Sequence, residues 1–386
     1  MMFRNSLTSF LTKKSRPIAM DIGTDSIKLL QMQRMGNVVS VRACARWRFP
    51  QDALSDPPQR RRLAVQAVRD MLKNGSFRGR RVVTALPSSS LNIKNVRLPR
   101  MSDEELREAV TFEAKERFGF EVTADKLSYL NAGEVRQGAE TRDEIIMLAA
   151  PPDALDEHLD MLDEMGLNPQ HIDAEPIALF RSFERFLRRR EDEPAVSVLV
   201  EVGRGGTRVV VARGRQIVFV KSIDIGGQSF TQALAKHLNL SYRDAAELRI
   251  RTMPQDGAPE PGQSAAALNL TVRDAMRPQV EDLAREVGLC LRYCSVTFRG
   301  LRPNCVTLTG GEAYDPALQS LLSEQLNAKC VLGQPLRGID VANLDVADRR
   351  GTLSEWAVCA GLAIRDMEIK AVAERDTDAQ CLPMAS

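Results

Sequence analysis

Asp21-Ile22-Gly23-Thr24-Asp25-Ser26-Ile27-Lys28 puts a carboxylate, a glycine bend, two hydroxyls and an ammonium into one short stretch. Glycine at the bend lets the backbone come close to a ligand. Backbone N–H groups around Gly23 and Thr24 can form a nest for phosphate oxygens. Lys28 adds a point charge. Asp21 is placed to hold Mg²⁺ through waters, because that ion sheds its hydration shell reluctantly. The same residues also describe an ordinary hairpin turn with a surface lysine. A second carboxylate-x-glycine segment, Glu201-Val202-Gly203-Arg204-Gly205-Gly206-Thr207, begins 180 positions later (201 − 21). Two such bends, one leading each half, can grip a triphosphate from opposite sides, with a water-gating cleft between them. A third glycine pair, in Leu308-Thr309-Gly310-Gly311-Glu312-Ala313, follows an apolar strand and suits a nucleoside.

Both bends need strands to aim them. Ile18 to Asp21, Ser26 to Gln33 and Val38 to Phe49 alternate as strands, with turns at Gly23 and Gly36–Asn37. A helix follows over 59–73, where Leu63, Val65, Val68 and Leu72 form a stripe, and 81–86 is a further strand. Residues 87–150 look inserted: Ser102 and Glu105 form a capping box for a helix running to Phe118, and 126–133 and 144–149 alternate as strands. Pro151–Pro152 opens a helix that Gly166 ends, and Glu175 to Arg190 reads as another, with a polar hinge through 188–193.

The second half repeats the grammar. Strands are predicted over 196–201, 207–212 and 216–224, and helices over 229–238, 241–251 and 272–298. Residues 252–268 read as a surface loop, 306–308 as a strand and 343–350 as a loop. Asp315–Pro316 starts a helix, and Leu353 to Met367 reads as a closing helix. Three strands, a glycine turn and helices, occurring twice, predict two similar α/β lobes. The expected division is 1–16 as a basic arm, 17–86 plus 151–192 as the first lobe and 87–150 as the insert. Residues 193–370 form the second lobe and 371–386 a polar tail.

Composition narrows the chemistry. The 386 residues carry 53 Lys+Arg against 51 Asp+Glu, a balance that makes no electrostatic case for nucleic acid. Seven scattered cysteines with no CxxC read as reduced, buried thiols, and three histidines lie at no metal-ligand spacing, which argues against zinc hydrolases and cysteine proteases. No apolar run approaches the ~20 residues of a membrane span. Met1 to Arg16 lacks a signal core, so an intracellular protein is expected. Phe3, Leu7, Phe10 and Leu11 among basic residues read either as a membrane-touching helix or as a solvated arm.

With the three glycine motifs in hand, the chain resembles the actin-like ATPases. Within them it is similar to the PilM family of type IV pilus assembly proteins, relatives of the cell-division protein FtsA. The carrying residues are 21–28, 201–207 and 310–311. They are joined by Leu106-Arg107-Glu108-Ala109-Val110-Thr111-Phe112-Glu113-Ala114, Ile172-Asp173-Ala174-Glu175-Pro176-Ile177-Ala178-Leu179 and Ile225-Gly226-Gly227-Gln228-Ser229-Phe230. The resemblance covers roughly residues 10–370. It implies an α/β, two-lobed actin-like (ribonuclease H-like) fold with an inserted FtsA/PilM-type subdomain, and ATP and Mg²⁺ in the cleft. The implied nucleotide-binding residues are Asp21, Gly23, Thr24, Ser26, Lys28, Glu201, Gly203, Gly205, Gly206, Thr207, Glu286, Gly310 and Gly311, with Asp21 and Glu201 toward the metal. Glu175, before Pro176, resembles the glutamate that related chaperone ATPases use to position water. It equally suits a helix start, where a carboxylate favours the dipole. The implied partner is the cytoplasmic N-terminal segment of an inner-membrane PilN-like protein, docked near Glu108 and Phe112. Other pilus or secretion proteins, self-association and indirect membrane contact are further expectations, at the cytoplasmic face of the inner membrane.

The chain departs from the family pattern at Glu201, where aspartate is usual, and at Leu289 and Cys290, where Arg and Ser are usual. Three functions therefore stand side by side. One is an ATP-binding scaffold with slow hydrolysis at most. Another is a nucleotide-free interaction module, favoured by those departures. The third is a small-molecule kinase, for which no carboxylate motif beyond Asp21, Glu175 and Glu201 offers a base.

Overall fold

The computed structural model describes residues 15–36, 38–124, 126–187, 190–252, 263–298, 303, 305–344 and 351–367. The expected N-terminal arm up to residue 14, most of the 252–268 loop, the end of the 343–350 loop and the 371–386 tail lie outside the described residues.

The chain begins with a three-stranded meander, β1 (Ile18–Ile22), β2 (Ser26–Met35) and β3 (Val38–Arg48). Helix α1 (Pro57–Asn74) follows, capped by Asp56, whose side chain accepts from the Gln59 N–H, and opened by prolines in its first turn. After β4 (Arg81–Leu86) the chain leaves the sheet to make β5 (Asn92–Pro99), α2 (Asp103–Arg117), β6 (Leu127–Gln137) and β7 (Glu140–Ala149). It returns through α3 (Pro152–Glu164), β8 (Asn168–Ala174) and α4 (Glu175–Glu184). The second half supplies β9 (Val196–Val202), β10 (Thr207–Arg213), β11 (Gln216–Ile223), α5 (Gly227–Leu238), α6 (Tyr242–Thr252) and α7 (Gln263–Thr297). It ends with β12 (Cys305–Thr309), α8 (Pro316–Leu326), β13 (Lys329–Leu332) and α9 (Ala357–Ala363).

Two five-stranded sheets share one plan. Their orders are β3-β2-β1-β4-β8 and β11-β10-β9-β12-β13. In each, the meander is antiparallel and the last two strands join in parallel. Valine- and isoleucine-rich strands buried on both faces require helices on both sides. Ile18, Met20, Ile27 and Leu29 meet Val65, Val68 and Leu162 of α1 and α3 on the outer face. The inner face joins a core that runs through both sheets, where α4 and α9 pack together. Their approach is so close that a Cβ on Gly361 would lie 1.7 Å from the Ala178 carbonyl oxygen.

The third sheet, β5-β7-β6, is the inserted piece. One face buries Val96, Leu98, Ile145 and Met147 against Leu106, Val110 and Ala114 of α2. Ala132, Ile146 and Leu148 turn the other way, into the main core. Glu144, almost wholly buried, ties this sheet to α7. It accepts from Tyr293 Oη (2.8 Å), Asn95 Nδ2 (3.0 Å) and Arg97 Nε (2.8 Å).

Some expectations change. α4 ends at Glu184 rather than Arg190, α7 starts at Gln263, well before the predicted 272, and the closing α-helix expected over 353–367 is confined to Ala357–Ala363. Cys44, Cys290, Cys294, Cys330 and Cys359 form no disulfide, as expected, whereas Cys305 is disulfide-bonded. No helix among the described residues is long and apolar enough to cross a membrane.

Candidate functional site

Each hairpin is a turn closed on itself. The Gly23 N–H donates to Ser26 O (3.0 Å), and the Gly203 N–H donates to Gly206 O (2.9 Å) in the second copy. The amides at the start of each bend are therefore used within the turn rather than held out toward an anion. The two bends meet: a Cβ on Gly205 would lie 2.7 Å from Thr24 Oγ1. Glycine lets the bends touch there, since a side chain would force Thr24 to move. Arg204 reaches across the junction, with Nη1 3.4 Å from Asp25 Oδ1 and Nη2 3.1 Å from Tyr242 Oη. The amides of Gly227 and Gln228 open α5 and donate to the carbonyls of Gly203 and Arg204 (3.0 and 2.8 Å), which fixes the second bend.

Between the sheets lies a cleft of about 1290 Å³. Asp21, Gly23, Thr24, Ser26 and Lys28 line one wall, and Glu201, Gly203, Gly205, Gly206 and Thr207 line the opposite one. Glu175, Gly310 and Gly311 complete it. Gly310 has φ +91°, and a Cβ there would sit 2.4 Å from the Val202 carbonyl oxygen. That bend needs glycine for backbone and packing alike. Thr207 Oγ1 donates to the Ile225 carbonyl (2.7 Å), so its hydroxyl serves the turn.

Charge in the cleft is arranged in rows. Strand register sets Asp21 opposite Lys28 and Glu201 opposite Arg208. Lys28 Nζ lies 3.1 Å from Asp21 Oδ2, both nearly buried. Burial alone would lower the Lys28 pKa, but Asp21 turns the shift upward. Lys28 is thus no solvent-facing lysine. Arg208 Nη1 lies 3.0 Å from Glu175 Oε2, and its Nε lies 2.5 Å from Glu201 Oε2. Nε and Oε2 in the second contact lack hydrogen-bond alignment, so it is a charge contact only. Burial opposes the Arg208 charge, yet the carboxylates of Glu175, Glu201 and Asp21 raise its pKa.

Glu175 opens α4, as its place before Pro176 requires. Its Oε2 accepts from the Ser88 N–H (2.7 Å) and Ser88 Oγ (2.6 Å). Burial raises its pKa; Arg208 and Ser88 pull it down, while Asp21 and Glu201 add to the rise. Arg60, from α1, donates to the Gly23 carbonyl (2.7 Å) while lying over the Phe49 ring. Burial holds its pKa below the ordinary arginine value.

Glu286 is not in the cleft. Its Oε2 lies 2.7 Å from Lys221 Nζ, on β11 at the far edge of the sheet from the Gly310 turn. The expected nucleoside contact is therefore corrected. Tyr242, Ala246, Arg249 and Ile250 of α6 line the cleft instead. Arg249 Nη2 meets Glu312 Oε2 (2.6 Å) and Asp315 Oδ2 (3.0 Å), beside Gly311.

Mg²⁺ at Asp21 and Glu201 does not fit these side chains. Each carboxylate already faces a cation in register. Arg208 escaped the sequence reading, although the spacing that joins Asp21 to Lys28 recurs from Glu201 to Arg208 and marks it.

Glu108 and Phe112 lie elsewhere, on the exposed side of α2, one turn apart. Phe112 is 62% exposed, so it belongs to no core, unlike Leu106 and Val110.

The profile of the family described as type IV pilus assembly protein PilM matches residues 19–367. Among solved structures, the PilM-PilN type IV pilus biogenesis complex is similar at 25% identity and TM-score 0.74, over 92% of this chain and 99% of that one. The ethanolamine utilization protein EutJ from Carboxydothermus hydrogenoformans follows at 14% identity and TM-score 0.51, over 92% and 90%. MreB5 of Spiroplasma citri, bound to ADP, has 11% identity and TM-score 0.51, over 92% and 96%. These likenesses give the fold as actin-like. The twin sheets, the cleft between their matching hairpins and the inserted β5-β7-β6 sheet with α2 are parts of one architecture, and the chain belongs to the PilM family of type IV pilus assembly proteins.

Proposed function

We propose that this chain is an actin-like, nucleotide-binding scaffold for a pilus or related secretion machine. It works at the cytoplasmic face of the inner membrane and captures the N-terminal cytoplasmic segment of a PilN-type membrane protein. The observation that carries the partner is α2: its inner side is fully occupied by the β5-β7-β6 sheet, while Phe112 and Glu108 stand uncovered outside. An aromatic anchor beside a carboxylate suits a short peptide with an apolar and a polar position. The similarity over 99% of the PilM chain in the PilM-PilN complex supports the same class of partner. The hairpin-lined cleft supports a nucleotide, with Asp21, Lys28, Glu201 and Gly310 around it and Glu175 as a water-orienting candidate. We divide the chain accordingly, with the first lobe at 17–86 plus 151–192, the insert at 87–150 and the second lobe at 193–370.

The test is fluorescence polarisation with a labelled N-terminal peptide of the PilN-type protein encoded in the same genome. Phe112→Asp weakens binding about tenfold or more while leaving thermal stability unchanged, because the ring is exposed. Wild-type affinity in Phe112→Asp and in Glu108→Lys would remove α2 from the docking site.

A further inference from the structure

Two carboxylates stand where a divalent cation would be expected to bridge phosphates to the protein, and each is opposed by a cation fixed in strand register. Glu201 is one methylene longer than the aspartate usual in the family, and Arg208 faces it with Nε 2.5 Å from Oε2. The guanidinium also reaches Glu175 in the other wall, at 3.0 Å. One side chain thus links the two lobes' acidic groups, which is the place and the charge sign of a metal ion. Mg²⁺ needs octahedral oxygens and several waters. A planar guanidinium needs neither, and its fork of donors matches phosphate oxygens bidentately. Nε and Glu201 Oε2 are buried 2.5 Å apart without an aligned hydrogen bond between them, so that contact is an ion pair alone. A phosphate oxygen taking that place would exchange one charge contact for another. The Arg208 side chain keeps 18% of its surface open, and the residue lines the cleft.

We propose that Arg208 takes the place of the divalent cation in this cleft, contacting the phosphates of a nucleotide that binds without Mg²⁺. This rests on the nucleotide reading given above. Arg208 is then a phosphate-binding residue that also neutralises Glu175 and Glu201 when the cleft holds no ligand.

The experiment is titration of the full chain with a fluorescent ATP analogue, in excess MgCl₂ and in excess EDTA. Wild type is expected to bind with Kd values within about threefold of each other in the two buffers. A wild-type Kd that rises about tenfold or more in EDTA overturns the proposal and leaves the nucleotide reading standing. Absence of binding in both buffers overturns both. Arg208→Gln is expected to bind at least about tenfold more weakly in EDTA than in MgCl₂, because the freed carboxylates then recruit the metal. Equal binding by this variant in both buffers overturns the proposal. Arg208→Lys keeps the charge and guards against a folding defect. It is expected to bind in EDTA more tightly than Arg208→Gln, and equal affinity of the two counts against a role for the charge.

Discussion

Arg208 faces Glu201 across the β9–β10 ladder in the register that Lys28 holds to Asp21 across β1–β2. Cross-strand partners share one face of a sheet, so each hairpin delivers a carboxylate and its counter-ion to the cleft together. With Glu175 included, three carboxylates meet two cations there. The cations offset two of the three carboxylates before any ligand arrives, and removal of a cation leaves its partner unmatched in a buried place.

The Lys28→Ala variant tests that pairing. The lysine has 8% of its surface exposed and pairs with Asp21. Truncation leaves a buried carboxylate alone, which costs roughly 3 kcal/mol, so the variant loses stability as well as nucleotide affinity. Asp21→Asn in the same chain restores most of the stability but not the affinity. Urea unfolding of the single and double variants reads the first effect, and ATP-analogue titration reads the second. A Lys28→Ala protein of wild-type stability would contradict the buried pair.

Contact between the hairpins makes a coupled prediction. Gly205→Ala drives a methyl into Thr24 Oγ1 and costs about 1–2 kcal/mol through overpacking. Thr24→Ala removes the two nearest atoms and leaves its Cβ at 3.4 Å, an ordinary contact. In that background the same glycine substitution costs less than about 0.5 kcal/mol. Additive losses in the urea midpoints of the two variants would place the hairpins out of contact.

Much of this was legible from periodicity. The alternation in Ser26–Met35, Thr207–Arg213 and Gln216–Ile223 marks strands that are covered on their sheet faces, and the Ser102–Glu105 capping box places the start of α2. Alternation does not mark β5, β8 and β13: β5 and β8 mix polar residues and a proline into their apolar positions, and β13 is four residues long. An edge strand such as β8 packs one side only against a neighbour and tolerates Pro169, whose missing N–H would break an interior ladder. In the site, the glycine bends are visible because glycine has few other reasons to recur there. Glu286 misled because nothing in a helix's sequence says which edge of a distant sheet it crosses. Arg60 and Arg249 were invisible for the same reason: their partners, Gly23 O and Glu312, lie far away in sequence.

The Glu144 cluster fixes the inserted sheet to α7, and it too can be tested. Tyr293→Phe deletes one of three donors to a carboxylate that keeps Arg97 and Asn95, at a cost of about 1 kcal/mol. Glu144→Ala strands the Tyr293 hydroxyl, the Asn95 amide and the Arg97 guanidinium, and costs more, about 2–3 kcal/mol. Hydrogen exchange should show faster opening of β6 and β7 in Glu144→Ala than in Tyr293→Phe. Equal protection in the two variants would mean that apolar packing of Ala132, Ile146 and Leu148 alone holds the insert.

His158 gives the fold a pH dependence. It lies on α3, largely buried, with Nε2 unpartnered, and burial lowers its pKa to about 4. In the unfolded chain an ordinary histidine titrates near 6.5, so between these values the unfolded state binds the extra proton. The stabilising contribution is therefore complete above pH ~6.5 and falls away as the pH drops toward ~4, by at most ~1.4 kcal/mol per pH unit. His158→Gln removes the titration. Its thermal midpoint should decline less than that of wild type between pH 7 and pH 5, with the difference vanishing above pH ~7. Parallel declines for the two proteins across that window would show that His158 is protonated in the folded state and that its burial does not hold it neutral.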